Sequence, residues 1–303
     1  MKQPVCILAM LILGGFIQPG LSQQPELLFQ YKNGIIAARP SPTRPVIAFT
    51  TPGYSGLYIW RMGTKKVEEI TSAKAAGFGY AWSPTGDDIV YKPAIFFQNR
   101  RYNSLVVYHI KTNQNHYLIS DRENLPGKPQ WIAPNAILLQ GYDGEPITVR
   151  ENPAIISQPY YRAMGTRIEK IDPSLGSRTT VTDRPYPILT IAVGPDRVHL
   201  AFEEYGGNLF ILNIRTQKII DIGAGNNPVW SPDGKQLAFM KTTDDGYQIL
   251  SSDIYIVRVD GTGLQNITDG FQELAMRPTW QPDGTSIIFD NDDTKLYEIR
   301  VNR

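Results

Sequence analysis

One short motif recurs along the chain, and it limits the fold more than any other feature. Ala81-Trp82-Ser83-Pro84-Thr85-Gly86 precedes Ile89-Val90-Tyr91, Val229-Trp230-Ser231-Pro232-Asp233-Gly234 precedes Leu237-Ala238-Phe239, and Thr279-Trp280-Gln281-Pro282-Asp283-Gly284 precedes Ile287-Ile288-Phe289. Fainter copies begin at Trp131 and Ile191, and a worn first copy spans Ala38 to Phe49. Proline presets φ at the second position of a turn, Asp or Asn tolerates the third, and glycine closes it. Each copy therefore reads as a hairpin between two short apolar strands.

Every unit continues in the same way. A third apolar strand follows, such as Leu57 to Trp60, Leu105 to Tyr108, Leu209 to Leu212 or Asp253 to Val257. A polar turn and a fourth strand ending in Ile-Thr or its like complete the unit. No segment after residue 22 carries a 3.6-residue apolar period. Six units over 281 residues (303 minus 22) average about 47 residues each, the length of a four-stranded propeller blade. The expectation is an all-β, six-bladed β-propeller of four-stranded antiparallel blades, with the repeated Trp residues wedged between blades. The interval from Trp131 to Ile191 is long, and its distinctive stretch Gln158 to Arg162 reads either as an insertion on the rim or as a longer hairpin. The last unit stops after its third strand, and the strand-like Glu26 to Tyr31 is expected to supply the fourth, hiding two sheet edges.

The stretch from Trp230 to Thr268, with Trp-Ser-Pro-Asp-Gly-Lys, Asp-Ile-Tyr-x-Val-x-x-Asp-Gly and Asn-Ile-Thr in sequence, resembles the repeat of TolB-like β-propellers. The likeness is strong in units two, five and six and faint in the others. It implies the propeller fold, without the α/β domain that precedes the propeller in TolB, for which the chain has no room. Propellers of this kind also serve as sugar-acid lyases, as gates on peptidases and as plain binding modules, so the likeness does not choose a function.

The first residues read as a secretory signal: Lys2, the apolar run Val5 to Ile17, then Gly20-Leu21-Ser22 as a cleavage site. The expected boundaries are 1–22 for the signal and 23–303 for the propeller, with a periplasmic or secreted destination. The apolar run is shorter than the roughly 20 residues of a membrane span. The one cysteine, Cys6, leaves with the signal, so stability must come from burial alone. Lys+Arg and Asp+Glu number 30 and 29, a balance with no broad pull toward nucleic acid or anionic membrane.

The hairpin turns are short and uniform, whereas the loops between blades and those joining second to third strands are long and varied. Recognition is expected on the face of the varied loops. The candidate ligand-binding residues are Phe78, Tyr80, Phe96, Phe97, Arg100, Lys128, Arg184, Tyr186, Asn227 and Arg277, since aromatics mixed with Arg and Asn favour recognition surfaces. The catalytic inventory is thin. Gly53-Tyr54-Ser55-Gly56 lacks the spacing of a nucleophile elbow. The histidines, His109, His116 and His199, come from two units only, and neither Asp244-Asp245-Gly246 nor Asp290 to Asp293 has calcium-loop spacing. No metal and no cofactor is expected. The leading reading is a non-catalytic exported module binding a protein, peptide or glycan. The alternative is a polysaccharide hydrolase or lyase with its site at the mouth of the central channel.

Overall fold

A computed structural model describes residues 24–64, 66–123, 125–139, 145–149 and 156–301. The expected signal segment, 1–22, lies outside the described residues. Antiparallel sheets follow one another along the chain as blades around a central channel. Blade 1 comprises Ile36–Pro40, Val46–Thr51, Ser55–Arg61 and Val67–Thr71. Blade 2 comprises Ala81–Trp82, Asp88–Tyr91, Arg100–His109 and Gln114–Glu123, with Ala94–Phe97 added against the start of its third strand. Blade 3 has Pro129–Ala133, Ala136–Leu139 and Ile147–Thr148, and blade 4 has Tyr160–Met164, Arg167–Asp172 and Ser177–Asp183. Blade 5 is Ile188–Val193, His199–Glu204, Asn208–Asn213 and Ile219–Ala224; blade 6 is Asn226–Trp230, Gln236–Asp244, Ile249–Arg258 and Gln265–Asn266. Blade 7 is Met276–Trp280, Ser286–Asp290 and Leu296–Arg300, completed by Glu26–Phe29.

The propeller thus has seven blades, not the six expected from the motif, and two of them show three strands rather than four among the described residues. The long interval from Trp131 to Ile191 is neither an insertion nor a longer hairpin, because it holds two blades. Strand direction explains why the motif missed one. Gly165, just past the end of Tyr160–Met164, accepts a hydrogen bond from the N–H of Ile188, where blade 5's inner strand begins (2.8 Å). Pro159, at the other end, accepts one from Arg197 in blade 5's hairpin turn (3.2 Å). Tyr160–Met164 therefore runs opposite to the Trp-bearing strands. It corresponds to a second strand, and the residues before it, Ile156-Ser157-Gln158-Pro159, carry neither the Trp nor the Gly of the motif.

The hairpin chemistry is as the motif implies. In blade 6, Gly234 takes φ of 72° and donates its N–H to the Ser231 carbonyl, while the Ser231 hydroxyl accepts the Gln236 N–H. This turn sets Trp230 opposite Leu237, and the same register places Trp82 opposite Ile89 and Trp280 opposite Ile287. Second strands are buried throughout: every residue of Val46–Thr51, Asp88–Tyr91, Ala136–Leu139 and Ser286–Asp290 is inside. Both faces of each central strand are covered by a neighbouring blade, so these strands read as continuous apolar runs.

Neighbouring blades are linked in both directions. Each indole donates backward to the preceding blade's inner strand: Trp82 to the Arg39 carbonyl (2.9 Å), Trp131 to Ala81 (3.2 Å), Trp230 to Ala192 (2.8 Å) and Trp280 to Val229 (3.2 Å). A second set of contacts points forward. The residue after the aromatic of a second strand reaches a backbone N–H three positions before the next Trp or its equivalent. Glu203 takes the Asn227 N–H, the Met240 sulfur the Arg277 N–H (3.0 Å), and Asp290 the Ala37 N–H (2.8 Å). Ala37, Asn227 and Arg277 have φ of 51°, 52° and 53°, a left-handed bulge that turns this N–H toward the preceding blade.

The ring closes between blades 7 and 1. Glu26–Phe29 pairs antiparallel with the last strand, Leu27 opposite Tyr297. Phe29 stacks on Trp60 of blade 1, with ring centroids 4.1 Å apart, and Tyr31 packs on Phe49 and Tyr58. Deleting residues 23–32 removes this apolar contact and exposes two edges, so the melting midpoint is expected to fall by about 10 °C or more; calorimetry checks it. Asp290 supplies a second test. Burial pushes its carboxyl up to about 6, against the opposing pull of Arg277. A folded-state pKa raised above its unfolded 3.8 gives stability that is present below about pH 4 and lost as pH rises through 6. The unfolding free energy of the wild type minus that of Asp290→Asn is expected to fall by on the order of 2–3 kcal/mol from pH 4 to 6.5. Denaturant titrations across that range measure the difference, and a flat or rising one contradicts the assignment.

Candidate functional site

Side chains alternate along a strand, so the residues one and three positions before each Trp face the channel. They include Arg39 and Ala37 in blade 1, Ala81 and Gly79 in blade 2, Gln130 and Lys128 in blade 3, Val229 and Asn227 in blade 6, and Thr279 and Arg277 in blade 7. The channel opens widest on the face of the long loops. One lobe, of about 800 Å3, lies against blades 1 to 5 and is lined by Arg39, Phe78, Lys92, Arg101, Lys128 and apolar Leu125, Leu189 and Ile191. A second lobe, of about 480 Å3, shares Arg39, Phe78 and Lys128 and extends past Tyr54, Asn227 and Arg277.

Four of the ten sequence candidates meet here: Phe78, Lys128, Asn227 and Arg277. Phe78 packs edge-on against Tyr54 (5.2 Å), and the Lys128 ammonium lies 5.1 Å from the centre of its ring. Lys128 opens onto the lumen but is enclosed by the channel walls, and that enclosure lowers its pKa. Arg277 is held by the buried Asp290 (Nε to Oδ2 3.1 Å), so its guanidinium braces the wall as well as lining it. Asn227 places its amide 3.5 Å from the Met240 sulfur.

The other six lie elsewhere. Tyr80 is fully buried, with its hydroxyl between the Ala37 and Ala48 carbonyls (2.6 and 2.7 Å) and its own carbonyl held by Arg39. Arg184 pairs with Glu204 (2.9 Å) over the ring of Phe210. Tyr186 is exposed on the loop into blade 5. Phe96, Phe97 and Arg100 stand on the ribbon of Ala94–Phe97 and Arg100–Asn103, with Arg100 3.3 Å from Glu123.

Sequence reasoning missed Arg39, Lys92 and Glu203. Lys92 is buried with its ammonium on the Leu125 and Gly127 carbonyls (2.8 and 2.5 Å), and burial, then Arg101, lowers its pKa to about 8. Glu203 is raised by burial, which the Asn227 N–H and Lys128 partly oppose. Lys92, Glu203, Met240 and Asp290 share one repeat position, directly after the aromatic of the second strand, so aligning the units one residue further would have found them.

The remaining chemistry is local. His109 is paired with Asp88, and His199 with Asp196 (2.6 Å). Asp245 accepts the N–H groups of Tyr247 and Gln248 in its own turn. Among the described residues no group of three or more His, Cys, Asp or Glu is placed to hold a metal ion. No helix among them is long and apolar enough to cross a membrane.

Residues 166–302 match the family described as the TolB beta propeller domain. No curated protein sequence matches the chain. Among solved structures, a chain of the mitotic checkpoint complex superposes with a TM-score of 0.64 at 14% identity, covering 99% of this chain and 100% of that one. The C-terminal WD40 domain of Sif2 gives 0.55 at 10% identity, covering 94% and 100%. TolB from Acinetobacter baumannii gives 0.51 at 13% identity, covering 91% of this chain and 66% of that one. At such identities these structures speak to fold alone: the chain is a β-propeller, and its C-terminal part, residues 166–302, is similar to the TolB beta propeller domain.

Proposed function

We propose that the chain is an exported, non-catalytic binding module that receives a protein partner on the face of its long loops. The observation that carries this reading is a pair of ribbons extending the second-to-third-strand connections of blades 2 and 6. Antiparallel topology puts both on the same face as the wide mouth of the channel. The blade 2 ribbon leaves Phe96 and Phe97 each 61% exposed, beside Ile95, and the blade 6 ribbon leaves Tyr247 98% exposed, beside Leu250. Exposed aromatics raised above a surface cost solubility, and burying a Phe side chain is worth about 1.5–3 kcal/mol. The blade's own core takes none of these rings, so a partner is the natural cover.

Export rests on the pattern of residues 1–22, and a binding role on loops that vary while the hairpin turns stay uniform. The test is affinity capture from an envelope extract, comparing wild type with the double variant Phe96→Ser, Phe97→Ser at equal melting midpoint. The reading expects a protein retained by the wild type to be lost from the variant, with at least a tenfold weaker affinity once that protein is purified. Retention unchanged by the substitutions, or no specifically retained protein, contradicts it.

A further inference from the structure

We propose that the wide lobe of the channel is a binding site for a small, multiply charged oxyanion. This goes beyond the partner-binding ribbons and does not depend on them. Arg39, Lys92, Arg101 and Lys128 line one cavity of about 800 Å3, and no carboxylate is among its described lining residues. Among the described residues none of these four cations forms an ion pair. The nearby carboxylates are committed to the wall: Asp290 to Arg277 and the Ala37 N–H, Glu203 to the Asn227 N–H.

Three of the four cations are fixed in place, and Arg101 reaches in from the exposed ribbon of blade 2. Lys92 is tied to two carbonyls, Arg39 to the Tyr80 carbonyl with its guanidinium 5.1 Å from that ring's centre, and Lys128 lies over Phe78. These tethers use neutral acceptors and π faces, which orient a cation without cancelling its charge. A concave well of one sign between low-dielectric walls concentrates counter-ions. Burial lowers the pKa of both Lys92 and Lys128, and the neighbouring Arg101 and Arg39 lower them further, while Glu203 offsets part of this at Lys128. Arg101 and Lys128 are the two with open donors: the Arg101 guanidinium offers a planar fork to a carboxylate or phosphate, and the Lys128 ammonium a point charge. The cavity can take an anion of several to a dozen heavy atoms, with Leu125, Leu189 and Ile191 against its carbon skeleton.

Calorimetric titration at fixed ionic strength tests the site with three probes: citrate, inorganic pyrophosphate and the neutral triamide of citrate. At least one anion is expected to saturate with a Kd below about 1 mM, and the triamide to bind at least tenfold more weakly. The stronger of the two anions identifies the ligand as carboxylate or phosphate. Lys128→Met and Arg101→Gln, at unchanged melting midpoint, are each expected to weaken that binding at least tenfold, whereas Lys218→Gln, just before the outer strand of blade 5, leaves it unchanged. Lys92 is unsuitable because its removal orphans two carbonyls. Saturation by neither anion, equal binding of the triamide, or variants as tight as the wild type overturns the proposal while leaving the ribbon reading intact.

Discussion

The wedge between adjacent blades is the contact on which the rest of the molecule depends. Each blade presents apolar second and third strands to both neighbours, and a sheet covered on both faces has no stability alone. The wedge is fastened twice. An indole reaches back to a carbonyl of the blade before it, as Trp230 does to Ala192, and a side chain reaches forward to a bulged N–H of the blade after it, as Asp290 does to Ala37. Backbone groups at the channel wall would otherwise be costly to bury unpaired. Bonding them to the adjacent blade fixes the spacing and leaves the alternate side chains free to line the lumen.

Much of this was legible in the chain. Proline, aspartate and glycine at fixed offsets from tryptophan revealed the hairpins, the inner strand and the face on which loops vary. The clasp by Glu26–Phe29 was legible because the last unit stops after its third strand. The blade count was not, and the reason is physical. The motif reports a first strand followed by its turn, whereas the first described strand of blade 4, Tyr160–Met164, runs the opposite way and follows Ile156 to Pro159, which hold neither Trp nor Gly. Arg162 and Glu169, a buried ion pair on two of its strands (3.1 Å), further disguise it by breaking the apolar run that marks the other blades.

The candidate site was legible in part for a similar reason. Lys128, Asn227 and Arg277 read in the sequence as blade-entry loop residues, and they do line the channel, Asn227 and Arg277 from inner strands. Tyr80 has the same local look, but its ring fills the junction of blades 1 and 2. Lys92 and Glu203 went unnoticed, and Asp290 was weighed only as a turn carboxylate, because each closes an otherwise apolar run; their shared place in the repeat shows that they reach the channel wall. One face thus carries both features: exposed aromatic ribbons at the rim and a cluster of cations in the well.

The central claim is a ring of seven sheets closed by the chain's own first strand. A cysteine pair at Leu27 and Tyr297, which face each other across the closing pair of strands, tests it most directly, in a chain whose one native cysteine is Cys6. The account predicts that Leu27→Cys with Tyr297→Cys, expressed without residues 1–22 and oxidised, forms an intramolecular disulfide in a monomer, seen as a mobility shift that reductant reverses. Free thiols that persist under oxidation, or disulfides found only between chains, would contradict the closed ring.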